Sequence, residues 1–196
     1  MPLRRACPFI LSVLLACGGG GPSRPPVASV TLTPSASAPL TSLGDTILLT
    51  AVALDAAGMP IPGVNIAFSS SAATVATVTQ SGLVTAVANG NAIVHASAEG
   101  KEATAAISVA QVVARVIVTP SSIAVPAGET PLFHASAVDA RNHPVAGAPA
   151  PLWSTTDSSL ATIVSEGADG RATVSSGLLD GVTVRAIANV GSVLST

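Results

Sequence analysis

The densest group of potential ligands in the sequence is His134, Asp139 and His143, three side chains within ten positions. A metal centre needs several donors converging on one point at the right number and geometry. Phe133, Ala135 and Ala137 alternate with His134 and Ser136, which places His134 on the outward face of a strand. Asp139 and His143 fall in the turn that follows, so the spacing does not bring the three together. A similar stretch earlier in the chain has Thr50, Asp55 and Met59 at the same places, and that set is not a ligand set. Asp55 and Asp139 read instead as turn formers whose carboxylates accept hydrogen bonds from their own backbone. Asp157, Glu166 and Asp169 could offer oxygens to calcium, but no D-x-D-x-D-G loop surrounds them, and they read as solvated turn carboxylates. There is no G-x-S-x-G, no H-E-x-x-H and no cysteine-rich metal pattern. The expectation is a protein that is not an enzyme, with no catalytic residue, no metal and no cofactor.

The elements carrying these residues follow from composition. Only 9% of residues are charged, 2% are aromatic and Tyr is absent, while Ala, Val, Thr and Ser dominate. Val and Thr suit a pleated, half-buried surface, and frequent Gly and Pro break helices and close turns. Many short strands are expected. Lys and Arg never cluster beyond Arg4-Arg5, so the cationic footprint of a nucleic-acid binder is missing. So apolar and weakly charged a chain also falls outside the disordered class.

Residues 1–17 read as a secretory signal, with Arg4 and Arg5 as the positive region and Phe9 to Leu15 as a short apolar run. That run is well below the roughly 20 residues of a spanning helix. Leu14-Leu15-Ala16-Cys17 resembles the bacterial lipobox, with Leu15 where a smaller residue is usual. The resemblance implies that Cys17 is lipidated and becomes the first residue of the mature protein, its partner being the membrane. Cys7 would leave with the signal, so no pair remains for a disulfide. Residues 18–26 (GGGGPSRPP) read as a tether with a flexible Gly half and an extended Pro half. Gly18 carries no inner-membrane retention Asp, which points to the outer membrane by analogy.

The body is two copies of one module. Val30-Thr31-Leu32-Thr33-Pro34-Ser35 recurs as Val116-Ile117-Val118-Thr119-Pro120-Ser121, and Gly44-Asp45-Thr46 as Gly128-Glu129-Thr130. Ala51 to Pro60 (AVALDAAGMP) recurs as Ala135 to Pro144 (ASAVDARNHP), and Phe68-Ser69-Ser70 as Trp153-Ser154-Thr155. Turn signals at Ala57-Gly58, Ser81-Gly82, Asn89-Gly90 and Glu99-Gly100 divide copy one into roughly seven period-2 runs, the signature of a sandwich.

These features together resemble the bacterial Ig-like domain, group 2 (BIG2), found in intimins and invasins. The residues that carry the likeness are the opening V-x-L-T-P, Gly44-Asp45, Phe68-Ser-Ser-Ser, Val75-Ala-Thr-Val, Gly82-Leu-Val-Thr-Ala and the Gly90-x-Ala-x-Val-x-Ala run. Asp55-Ala-Ala-Gly-x-Pro is also similar to the related group 1 domains. The resemblance covers nearly all of residues 27–196 and implies an all-β chain of two tandem immunoglobulin-like β-sandwich domains, at 27–110 and 111–196. Phe68 and Trp153 are expected as core anchors on the third strand of each copy. Copy two stops before its last strand reaches the length seen at Ala103 to Val109, so unpaired ladder groups are expected at that edge.

The functional expectation is a cell-surface lipoprotein whose modules form a spacer or adhesion stalk. Val109 to Arg115 (VAQVVAR) contains no Gly or Pro, which predicts a semi-rigid connection. The alternatives are a weak carbohydrate- or protein-binding adhesin module, or the N-terminal piece of a larger surface protein. With no Tyr and one Trp, a strong glycan-binding face is hard to build.

Overall fold

The computed structural model describes residues 24–36, 39–126, 128–174 and 182–195. The signal segment, Cys17 and residues 18–23 of the tether lie outside the described residues. Every regular element described is a strand. Copy one contributes β1 (Ser29–Pro34), β2 (Thr46–Leu54), β3 (Ala67–Ser70), β4 (Ala76–Val78), β5 (Leu83–Ala86), β6 (Gly90–Ala98) and β7 (Lys101–Val109). Copy two contributes β8 (Arg115–Thr119), β9 (Ser122–Val125), β10 (Leu132–Val138), β11 (Leu152–Thr155), β12 (Ala161–Glu166), β13 (Asp169–Val174), β14 (Val182–Val190) and β15 (Val193–Leu194).

The period-2 sequence becomes a period-2 burial. Along β6, Ala92, Val94, Ala96 and Ala98 are buried while Asn91 and Ile93 face out. One sheet of copy one runs β1-β2-β5-β4 and the other β3-β6-β7. That partition of seven strands, with first, second, fifth and fourth on one sheet and third, sixth and seventh on the other, is the constant-type immunoglobulin sandwich. Copy two repeats it with β12-β13-β10-β8 packed on β11-β14-β15. The chain is all-β and holds two tandem immunoglobulin-like sandwiches, as expected.

Copy two fills its last seat differently from expectation. In copy one, β7 pairs with β6 along nine residues, from Gly90↔Val109 to Ala98↔Lys101. In copy two, β15 pairs with β14 only at Asn189↔Leu194 and Val190↔Val193. The far end of the seat is not left unpaired. β9 takes it antiparallel, from Val182↔Val125 to Arg185↔Ser122. The Arg185 carbonyl faces the opposite side, where it accepts the Thr156 N–H at 3.2 Å. Ladder groups left open are costly, and a neighbouring strand of the same chain satisfies them.

Two glycines let an aromatic ring lie against the facing sheet. At Gly82 (φ +81°), an added Cβ would stand 2.2 Å from the Leu49 carbonyl and 3.2 Å from Phe68 Cζ. At Gly170, it would stand 2.5 Å from Trp153 Cδ2. Phe68 and Trp153 are half-buried and pack on the flank of the core clusters. The fully buried side chains include Leu49, Val84 and Val94 in copy one and Phe133, Val116 and Val174 in copy two.

Candidate functional site

The residues singled out by chemistry come apart in space. His134 lies directly across the β10–β13 ladder from Asp169, its Nδ1 2.6 Å from the carboxylate. Glu166 accepts two bonds from Arg171, at 2.8 and 3.1 Å, and Asp157 accepts the Ser159 N–H at 2.9 Å. Each acid therefore serves its own turn or ladder, and no group of three His, Cys, Asp or Glu able to hold a metal occurs among the described residues. A surface groove of about 430 Å³ beside Leu40 and Ile107 and another of about 380 Å³ under the Pro144–Pro151 loop carry no ionisable lining side chain. Neither offers an acid–base pair.

Polar side chains converge instead where copy one meets copy two. The connecting backbone is bonded on both sides. Ala110 N–H donates to the Leu40 carbonyl at 2.9 Å and Val112 N–H to Thr41 at 3.0 Å, both in copy one. Ala114 N–H donates to the Val138 carbonyl of copy two at 2.9 Å. A connection so held cannot swivel as a free linker does.

Around it, each copy supplies one aspartate with its two oxygens divided. Asp45 follows Gly44, whose φ of +77° turns the chain into β2. Its Oδ2 accepts the N–H groups of Thr41 and Ser42 at 3.1 and 2.9 Å, and its Oδ1 accepts Arg141 Nε from copy two at 2.8 Å. Asp139 ends β10. Its Oδ1 accepts the N–H groups of Arg141 and His143, each at 2.9 Å. Its Oδ2 accepts the Leu43 N–H of copy one at 2.9 Å and Gln111 Nε2 of the connection at 3.1 Å. Gln111 Nε2 also reaches the Pro144 carbonyl at 3.2 Å, and its backbone N–H donates to Asn89 Oδ1 at 2.8 Å. Each carboxylate closes its own turn with one oxygen and holds the other copy with the other oxygen.

Asp139 is only 1% exposed. Burial by itself would raise its pKa, but the bonds from Gln111 and from the N–H groups of His143, Leu43 and Arg141 more than offset that and hold it well below the usual carboxylate range. Asp45 is lowered too, first by the bond from Arg141, against a smaller opposing effect of burial. Both acids are anionic at neutral pH.

The turn-forming role of Asp55 and Asp139 was legible in sequence: Asp55 Oδ1 accepts Ala57 N–H and Met59 N–H, each at 2.9 Å. The bridging role of Asp139, and the parts played by Asp45, Gln111 and Arg141, were not. Their signal is a departure between the copies, Ala57 against Arg141, together with one polar residue, Gln111, in an apolar connection.

No family model matches the chain, and no curated protein matches it. Among solved structures, the chain is similar to invasin, a bacterial integrin-binding protein, at 16% identity and TM-score 0.48, covering 84% of this chain and 37% of that one. FdeC, an Escherichia coli adhesin, matches at 19% identity and TM-score 0.41, covering 80% of this chain and 63% of that one. Domains 1–6 of the surface layer protein SbsC match at 17% identity and TM-score 0.38, covering 87% and 27%. The chain thus spans about a quarter of that surface-layer structure and less than two thirds of the invasin and FdeC structures. The immunoglobulin-like fold rests on the strand order of the chain itself.

Proposed function

We propose that the chain is a non-catalytic surface lipoprotein, exported by residues 1–17 and anchored through lipidated Cys17.

 The membrane assigned in this reading is the outer one, and the two BIG2-like modules are a spacer or adhesion stalk that carries the distal end of the chain away from it. The observation that supports the stalk is the junction: a connection bonded to both copies and flanked by two shared carboxylates keeps two sandwiches in one fixed relation. A spacer needs that stiffness, because a freely jointed pair folds back over the surface it should stand away from. The run Leu14 to Cys17 supports the anchor.

The test places an epitope after Thr196 and labels intact cells with its antibody. Labelling of intact cells is expected, and labelling only after lysis would overturn the surface assignment. Cys17→Ser protein is expected to leave the membrane fraction; if it stays there, the anchor is wrong.

A further inference from the structure

The turn that closes the junction has a twin at the opposite end of copy one. Asp55 N–H donates to the Met59 carbonyl at 3.0 Å and Gly58 N–H to the Asp55 carbonyl at 3.0 Å. In copy two, Asp139 N–H donates to the His143 carbonyl at 2.9 Å and Asn142 N–H to the Asp139 carbonyl at 3.0 Å. Gly58 (φ +77°) and Asn142 (φ +69°) occupy the same left-handed position, which Gly and Asn accept most readily. Isolated bridges Leu54↔Pro60 and Val138↔Pro144 close both turns alike. The backbone shape is therefore common to the two copies, and only the side chains on it differ: Ala57, Gly58 and Met59 against Arg141, Asn142 and His143.

Only one of those differences reaches the neighbouring module through a side-chain bond. The Arg141 guanidinium bonds Asp45, and its Cδ lies 3.7 Å from where a Cβ on Gly44 would be, so its stem runs over a residue without a side chain. Ala57 has neither the length nor the charge to do this. We infer that Arg141, read by Asp45 across Gly44, is an order-determining residue: it lets the copy-two turn, and not the copy-one turn, lock onto the end of a preceding module. Asp139 and Gln111 share the hold with Arg141, and Arg141 alone distinguishes the two turns. The inference deepens the stalk reading and rests on it for its purpose, while its test concerns geometry alone.

The experiment uses the full two-module chain with Cys7→Ser and Cys17→Ser. Spin labels go on Thr77→Cys and Thr162→Cys, exposed and at matching positions of the two copies. Pulsed dipolar spectroscopy then reads the inter-label distance distribution. A narrow distribution is expected for the parent. Grafting the copy-one turn (Arg141→Ala, Asn142→Gly, His143→Met) is expected to widen it at least twofold, and Arg141→Ala alone to give most of that widening. The reciprocal graft on copy one (Ala57→Arg, Gly58→Asn, Met59→His) is expected to leave it unchanged. A parent-like width in the copy-two graft, with the protein folded by circular dichroism, would overturn the inference. So would widening from the reciprocal graft. Loss of surface labelling in cells, by contrast, would strike the stalk reading and leave this one standing.

Discussion

The carboxylate of Asp139 in copy two accepts the backbone N–H of Leu43 in copy one at 2.9 Å, from a position only 1% exposed. The contact joins a side chain to a main-chain group 96 positions earlier, so neither module makes it alone. Hydrogen bonds to a charged acceptor contribute about 1.5–3 kcal/mol each, and a buried donor left without its acceptor costs about 1–3 kcal/mol.

Asp139→Asn should therefore hurt more than Asp55→Asn. An amide at 139 can still accept the two turn N–H groups with its oxygen, but it then turns an NH₂ toward the Leu43 N–H and Gln111 Nε2, two donors. Denaturant unfolding should show a loss of about 1.5–3 kcal/mol, and hydrogen exchange at Leu43 N–H should speed up. Asp55→Asn keeps its turn and should lose under half as much. Equal losses at the two sites would mean that the inter-module bond contributes nothing.

Acid should leave the junction closed until the pH is well below that of ordinary carboxylates. Asp139 and Asp45 both have folded pKa values depressed relative to the unfolded chain. Their contribution is present in full above the unfolded Asp value, about 3.9, and is lost as pH falls through the depressed folded values. The inter-label distance should thus hold from pH 7 to about pH 4, near that unfolded value, and widen only in stronger acid. Widening between pH 7 and pH 5 would contradict the assignment of these two acids as the clamp.

Gly82→Ala and Gly170→Ala should each destabilise their own module. The first puts a methyl 2.2 Å from a backbone oxygen at a positive φ, and the second puts one 2.5 Å from the Trp153 ring. Overpacking of this kind costs about 1–3 kcal/mol. Trp153 is the sole tryptophan, so its fluorescence reports copy two alone. Gly170→Ala should shift the fluorescence transition down in temperature, while Gly82→Ala should leave it in place and lower only the copy-one transition in calorimetry.

Removing the exposed pair Glu166–Arg171 should do little. Both side chains are nearly half exposed, at 45% and 46%, and such pairs gain little over their hydrated ions. Glu166→Gln should leave the melting temperature within error of the parent, even though Arg171 now lowers the Glu166 pKa by its direct bond. A shift of several degrees would show that this ladder end matters more than its exposure implies.

Much of the fold was legible because it is written twice. Alternation in β6 and β10, turn glycines such as Gly44 and Gly128, and the paired Phe68 and Trp153 are local or repeated signals. The β9 seat was not legible. Ser122–Val125 forms a strand, and which edge it joins depends on what else occupies that edge, which is a property of the assembled sheet. The clamp escaped for a similar reason. Asp45 and Asp139 are each fully explained by their own turns, since one oxygen is enough for that, and sequence spacing says nothing about where the second oxygen points.

The divided carboxylates also fix where this gene can be cut and rejoined. Asp45, Gln111 and Arg141 form one interdependent set that straddles the boundary between the repeats. Recombination within the connection would part the first of these from the last, and because Asp45 and Arg141 stand 96 positions apart, farther than the 84 that separate Ala57 from Arg141, a single repeat-length segment does not carry the whole set either. The unit of inheritance for a stiff array is then longer than the unit of folding.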